Sequence, residues 1–147
     1  MAISIILVDD HAVVRDALRH VLDKHDGIEV VAEVGDGLRA LELARQVRPD
    51  VVVMDIAMPN LNGADAARQI CHERPETKVL CLSIYQGRRF VKSAVEAGMS
   101  GYLSKDCPSE ELIDAIEAVA SGGSWWSSSV EGIPAQDDGS DSAKVQP

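Results

Sequence analysis

The chain has 147 residues, 46% hydrophobic and 26% charged, which at roughly 100–200 residues per domain is material for one core; with Tyr85, Phe90, Tyr102, Trp125 and Trp126 as its aromatic residues, that core has to be aliphatic. A formal charge of −10, from 24 acidic against 14 basic residues, repels a nucleic-acid backbone, so these residues are not expected to bind DNA by themselves. No apolar run approaches the roughly 20 residues of a membrane span, and three widely spaced cysteines (Cys71, Cys81, Cys107) indicate neither a disulfide framework nor a zinc site, so a cytoplasmic protein is expected.

Ile3–Val8 is a continuous apolar run of strand length. It has no basic leader and runs straight into Asp9 and Asp10, which excludes a signal peptide. Val14, Ala17, Leu18, Val21 and Leu22 then follow helical spacing. Ile28–Val34 reads as a strand, and Gly35-Asp36-Gly37 as a turn with Asp36 a candidate cap for the helix Leu38–Val47, closed off by Pro49. Val51–Met54 is a strand, Leu61–Glu73 a helix ended by Pro75, and Thr77–Ser83 a strand. Arg88–Ala97 is a helix with Gly98 where a terminating glycine belongs. Gly101–Ser104 is a short strand. Pro108 at the first helical position and Glu110 and Glu111 in the first turn announce a last helix, with Leu112, Ile113, Ile116, Val119 and Ala120 as its buried face and Gly122-Gly123 at its end.

Strict alternation with short connections implies a parallel sheet covered by helices on both sides, an α/β three-layer sandwich of (βα)5 type. The first, third and fourth strands are almost wholly apolar, as central strands should be. The second carries Glu29 and Glu33, and the fifth Gly101, Tyr102 and Ser104, which suits the edges. The strand order 2-1-3-4-5, the flavodoxin-like order, satisfies this. Residues 1–123 form the domain. Residues 124–147, rich in Ser, Gly and Pro with scattered acids, read as a linker or tail. Trp125-Trp126 is the exception, expected to pack back on the body or to serve a partner.

In such a sheet ligands bind beyond the carboxyl ends of the strands, where the strand order reverses. That edge receives Asp9 and Asp10 from the first strand, Asp55 from the third, Ser83 from the fourth and Lys105 from the fifth. Taken singly, an Asp after a strand is usually a helix cap and a Lys a solvated charge; the five together at four strand ends suggest a shared site. Close carboxylates repel and need neutralising. A hard divalent cation suits oxygen ligands, and Mg2+ suits a few of them with several waters. Asp9 and Asp10 would hold it, with Asp55 facing it and the backbone carbonyl of Ala57 completing the set. Histidine and cysteine are expected to stand outside the cluster, His11 at the helix start being the one near in sequence, which disfavours zinc or copper. Metal, ammonium and hydroxyl together can contact the three equatorial oxygens of a phosphoryl group in transfer, and a carboxylate can be its nucleophile. Asp55 is the best candidate. Met58-Pro59 would stiffen the following loop and Gly63 permit a tight turn.

Leu7-Val8-Asp9-Asp10-His11, Val53-Met54-Asp55-Ile56-Ala57-Met58-Pro59, Leu82-Ser83 and Tyr102-Leu103-Ser104-Lys105-Asp106 resemble the receiver domain of bacterial two-component response regulators (CheY-like), over residues 2–123. Asp106 after Lys105 and the closing Ala120-Ser121-Gly122-Gly123 resemble the NarL/FixJ (LuxR-type) subfamily. The resemblance implies a histidine kinase as phosphate donor, Asp55 as phosphoacceptor, Mg2+ held by Asp9, Asp10 and Asp55, and Ser83 and Lys105 as contacts to the phosphoryl group. Tyr102 would be the switch aromatic, turning inward when Ser83 moves toward the phosphate. It implies a signalling switch with self-directed phosphotransfer and slow autodephosphorylation, a homodimer on activation, and transcriptional output through a C-terminal helix-turn-helix domain that alone would meet DNA; no membrane contact is implied. The tail then reads as the linker of a receiver-bearing fragment, the preferred reading, or as the end of a stand-alone receiver acting through protein–protein contacts. A Mg2+-dependent phosphatase or phosphotransferase is a further alternative, disfavoured because the short connections leave nothing to cap the site; a degenerate receiver serving as a dimerisation scaffold is disfavoured by the complete acid–Ser–Lys set. Ala57 departs from the polar residue common at its position, beside the path of hydrolysing water.

Overall fold

A computed structural model of the chain describes residues 2–56, 63–84 and 87–126. Within them run β1 (Ile3–Val8), α1 (Ala12–Asp23), β2 (Ile28–Val34), α2 (Gly37–Val47), β3 (Val51–Met54), α3 (Gly63–Glu73), β4 (Lys78–Ser83), α4 (Arg88–Ala97), β5 (Gly101–Ser104), α5 (Ser109–Ala120) and β6 (Trp125–Trp126). The sheet is parallel, of order β2-β1-β3-β4-β5-β6. The flavodoxin-like order is therefore present, with one strand added. Ala57, Met58, Pro59 and the expected helix start at Leu61 lie outside the described residues, as does the tail from residue 127.

Alternation along the strands makes two cores. Ile6, Val8, Val52 and Met54 face α2, α3 and α4, while Ile5, Leu7, Val51 and Val53 face the opposite layer, closed by α5 with Leu112 and Ile116 and by Leu22 of α1. Central strands packed on both faces are apolar, which is why β3 is an unbroken run and β1 is one but for Ser4, half-buried near its start and bonded to Asp50. Tyr102, fully buried, is the aromatic exception in an aliphatic interior.

Helix ends follow side-chain and glycine chemistry. Asp36 caps α2 by accepting the backbone N–H of Arg39 at 2.8 Å. Gly98 ends α4 at φ 90°, a left-handed conformation that carries little penalty without a Cβ. Pro108 stands one residue earlier than expected, at the N-cap of α5 with an extended ψ of 148°. β4 begins at Lys78 rather than Thr77, whose buried hydroxyl donates to the Pro49 carbonyl at 2.9 Å.

Three expectations about burial are corrected. In α5, Ile113 and Ala120 are half-buried rather than buried, and Ala115 is buried in addition. The apolar stripe of α1 is only partly covered: Leu22 is buried, Val14, Leu18 and Val21 are half-buried and Ala17 is exposed. α1 packs on β2 and β1 at the sheet margin, while α5 occupies the centre of that face. The fifth strand is also not the edge. Trp125 pairs with Gly101 and Trp126 with Tyr102, and the two indoles pack onto opposite cores. Trp125 donates from Nε1 to Glu111 Oε2 at 3.2 Å. Glycine at 101 makes the pairing possible, because a Cβ there would lie 2.4 Å from the Trp125 carbonyl oxygen and 2.7 Å from Leu80 Cδ1. The added strand is a two-residue element in a Ser/Gly context, too short for a periodicity signal.

Gly101→Val is therefore expected to detach β6 while leaving the five-stranded body folded. Both tryptophans of the chain lie in β6, so their emission should shift to the red and become open to acrylamide quenching, with a stability loss of about 1–3 kcal/mol in urea. Unchanged emission would show that the notch at position 101 does not hold the strand.

Candidate functional site

Four strands deliver side chains to one edge, and the ladders continue one residue past them. Asp9 N–H donates to the Val34 carbonyl at 3.1 Å, Asp55 N–H to the Val8 carbonyl at 3.1 Å and Lys105 N–H to the Ser83 carbonyl at 3.0 Å. These bonds fix the backbone of the residues that carry charge. Asp9 and Asp55 are buried, and Lys105 Nζ bridges them, 2.5 Å from Asp9 Oδ2 and 2.8 Å from Asp55 Oδ2. Burial disfavours the Lys105 ammonium, but the hydrogen bonds to Asp55 and Asp9 outweigh it and hold the group above its ordinary range.

Asp10 points outward beside Asp9, its side chain 30% exposed. His11 joins them. Its backbone N–H donates to Asp9 Oδ1 at 2.9 Å, and its Nδ1 lies 3.2 Å from Asp9 Oδ1 and 3.0 Å from Asp10 Oδ1. The ligand atoms of Asp9, Asp10 and His11 all fall within 4.8 Å of one another. The expectation that histidine stays outside the cluster is thus corrected: α1 has no side-chain N-cap bond, and the turn that Asp9 closes over the His11 N–H swings the imidazole onto the acids. Asp55 connects to this group through Lys105.

The fourth and fifth strands supply the rest. Ser83 is fully buried at the end of β4. Tyr102 lies inward, and burial together with Cys81 raises its phenol far above the ordinary range, against a hydrogen bond from Ser83. The loop after Lys105 is shaped by Ser104, whose hydroxyl donates to the Asp106 carboxylate and accepts the Asp106 N–H, a local side-chain-closed turn. Behind Asp55, Gly63 lets α3 approach: its N–H donates to the Ile56 carbonyl at 3.0 Å, and a Cβ would fall 2.0 Å from the Asp55 carbonyl oxygen.

Asp9, Asp10, Asp55, Ser83 and Lys105 therefore reach one edge, with Tyr102 in the core behind it. Ala57 lies outside the described residues. Cys81 is fully buried in β4, and burial pushes its thiol far up. Sequence reasoning alone does not single out Arg15, whose Nη1 donates to the Asp9 carbonyl at 2.5 Å. Its signal is a cation one turn inside a helix N-terminus, where the macrodipole opposes it.

Residues 5–117 match the family model described as the response regulator receiver domain. The chain is 42% identical over 128 residues to the transcriptional regulatory protein MctR of Rhizobium johnstonii, covering 87% of this chain and 60% of that one. It is 40% identical over 123 residues to the transcriptional regulatory protein DegU of Brevibacillus brevis, covering 84% and 52%. It thus spans little more than half the length of these curated relatives. A crystal structure of a LuxR-family two-component response regulator from Aurantimonas sp. superposes with a TM-score of 0.84 at 38% identity, covering 88% of this chain and 93% of that one.

The Lys105 bridge is the keystone of the charge arrangement. Lys105→Met is expected to lower stability by about 2 kcal/mol, the scale of hydrogen bonds to charged groups, and Asp9→Asn added to it should recover most of that loss. Because the folded lysine titrates above its ordinary value, the bridge contributes fully below about pH 10.4, and its contribution fades as pH rises from there through the folded value. Urea unfolding of the single and double variants across this range measures both; an additive double variant would deny the coupling.

Proposed function

Because the chain belongs to the response regulator receiver family, we propose that it is a phosphorylation switch in which Asp55 is the phosphoacceptor, a sensor histidine kinase the donor and Mg2+ the required cation. The observation that carries this reading is the Lys105 ammonium held between Asp9 and Asp55 at the ends of adjacent parallel strands. The donor set fits the cation: Asp9 and Asp10 offer close carboxylate oxygens, one buried and one facing solvent. Mg2+, when bound, supplies positive charge to phosphoryl oxygens in transfer. The Ala57 carbonyl is the further ligand proposed, in the part not described.

The chain's own groups account for the remaining steps. A carboxylate oxygen of Asp55 attacks phosphorus; the new O–P bond forms as the P–N bond of the donor's phosphoimidazole breaks, and its electron pair returns to the ring nitrogen. Lys105 turns from Asp9 and Asp55 to a phosphoryl oxygen. The Ser83 hydroxyl leaves Tyr102 for another; the inward turn expected of Tyr102 as the switch aromatic is already made in this structure, where the ring is fully buried. Phosphorylation adds up to about two negative charges, so both contacts exist only in the modified state. Shifting a two-state equilibrium from 1:99 to 99:1 needs about 5.5 kcal/mol, and charge-assisted hydrogen bonds at roughly 1.5–3 kcal/mol each are on that scale.

Output is proposed to be transcriptional, through a DNA-binding domain following the tail in the whole protein, with homodimerisation on activation. The names of the relatives support this, as does the net charge of −10, which suits a domain that leaves DNA to another. Hydrolysis is proposed to be self-directed and slow, with Ala57 bordering the path of the water.

With a small acyl phosphate and Mg2+, the chain should gain one phosphoryl group by intact-mass spectrometry, and Asp55→Asn should gain none; equal labelling of the variant would remove Asp55 from its role. Lys105→Ala should still take up Mg2+ in calorimetry but lose the change in tryptophan emission that follows phosphorylation. The chain alone should show no sequence-specific DNA affinity in a mobility assay at physiological salt.

A further inference from the structure

Arg15 is placed against local preference. It lies one turn inside α1, a helix with no acidic residue in its first turn and no side-chain N-cap, so the helix dipole opposes its charge. A residue that breaks a local rule is held for a reason elsewhere. Its Nη1 donates to the Asp9 carbonyl oxygen at 2.5 Å. That carbonyl belongs to the peptide joining Asp9 to Asp10. The Asp9 N–H on the other side is held by the Val34 carbonyl at 3.1 Å, so the segment carrying both acids is fastened from β2 and from α1.

The guanidinium is itself held in place. Glu33 Oε1 is 3.7 Å from Nε, an ion pair too long for a hydrogen bond, and that Nε is buried without a hydrogen-bond partner. The side chain thus gives up one good bond and keeps the one to Asp9. Space for it comes from Gly35, where a Cβ would stand 3.2 Å from Nη1. The two sides of the turn after β2 and the start of α1 are fitted around this single contact.

We propose that Arg15 is a positioning residue for the Asp9–Asp10 pair: by fixing the peptide between the two acids, it sets how tightly they take up a divalent cation. This rests on the reading of that pair as the Mg2+ site. Arg15 touches neither cation nor phosphoryl group; it acts through the backbone, as outer groups orient metal ligands.

Charge and positioning predict opposite signs. If Arg15 mattered only as a nearby positive charge, its removal would strengthen cation binding. If it positions the acids, removal weakens binding although a repelling charge is gone. The experiment is calorimetric titration of the full chain with Mg2+ for wild type, Arg15→Gln and Arg15→Lys, with Arg39→Gln as a charge control. Arg39 is an exposed guanidinium in the first turn of α2, at the same edge of the sheet. The expected result is an affinity about tenfold lower in Arg15→Gln, an intermediate value in Arg15→Lys, whose ammonium can still donate to the Asp9 carbonyl, and no loss in Arg39→Gln. Arg15→Gln binding as tightly as wild type or tighter overturns the proposal, as does any other order of the three affinities. Should Arg15→Gln fold poorly, Gly35→Ala presses on Nη1 and leaves every charge in place; it is expected to weaken uptake too, and wild-type affinity there overturns the proposal. A wild type that takes up no Mg2+ fails at the earlier step, by denying that the acids are a cation site.

Discussion

Two carboxylates buried side by side at the ends of adjacent strands need positive charge, and Lys105 supplies it. The rest of the edge follows from that need. β1 and β3 are neighbours because the parallel order reverses there, and the residue after each is an aspartate whose N–H is tied into the ladder. Backbone geometry therefore brings Asp9 and Asp55 together whatever their repulsion, and a cation from a third strand end relieves it. β5, two places along the sheet, carries that cation on a chain long enough to reach both. The arrangement is satisfied and also replaceable: a small cation at the acids, or a new anion at Asp55, competes for the same charges. Buried pairs of this kind add little net stability, and their value lies in having two ways to be satisfied.

The glycines show how closely the backbone is fitted to this end. Gly63 brings the start of α3 against the Asp55 carbonyl, and Gly101 brings β6 against β5. Neither has a positive φ; each is required by close approach. One fixes the element behind the central acid, and the other fixes the strand beside Tyr102. The same four-residue strand thus carries Tyr102, leads into Lys105 and pairs with both tryptophans.

How much of this the sequence disclosed depended on what each feature rests on. β1, β2, β3 and β5 span the residues that the sequence marks as strands: β3 because a strand buried on both faces is apolar throughout, β2 and β5 because turn residues punctuate short runs that carry polar side chains. Asp9, Asp10, Asp55, Ser83 and Lys105 were legible because position at a strand end is enough to place them. β6 was not, since its pairing depends on a missing Cβ at Gly101 and not on any pattern in Trp125-Trp126. The partial exposure of α1 was not, because helical periodicity reports an apolar face and not how much of it a sheet margin can cover. Chemical type alone keeps His11 out of the cluster, whereas a turn brings it in: the Asp9 side chain accepts the His11 N–H, and the exposed ring lies beside both acids.

Lys105 and Arg15 together explain why two cations serve an acidic edge in different ways. Lys105 ends inside the cup, on carboxylate oxygens, so its charge is in direct competition with anything that enters. Arg15 ends outside it, on a backbone carbonyl, so its contact survives whatever happens to the carboxylates. A lysine suits the first place: a point charge on a flexible stem moves between acceptors at small cost. A guanidinium suits the second, where Nη1 donates to a backbone carbonyl and the charge of Glu33 lies 3.7 Å from Nε. Exchanging the two residue types would leave the net charge unchanged and alter both contacts, which is why the formal charge of the chain says so little about its chemistry and the identity of the atoms each cation meets says so much.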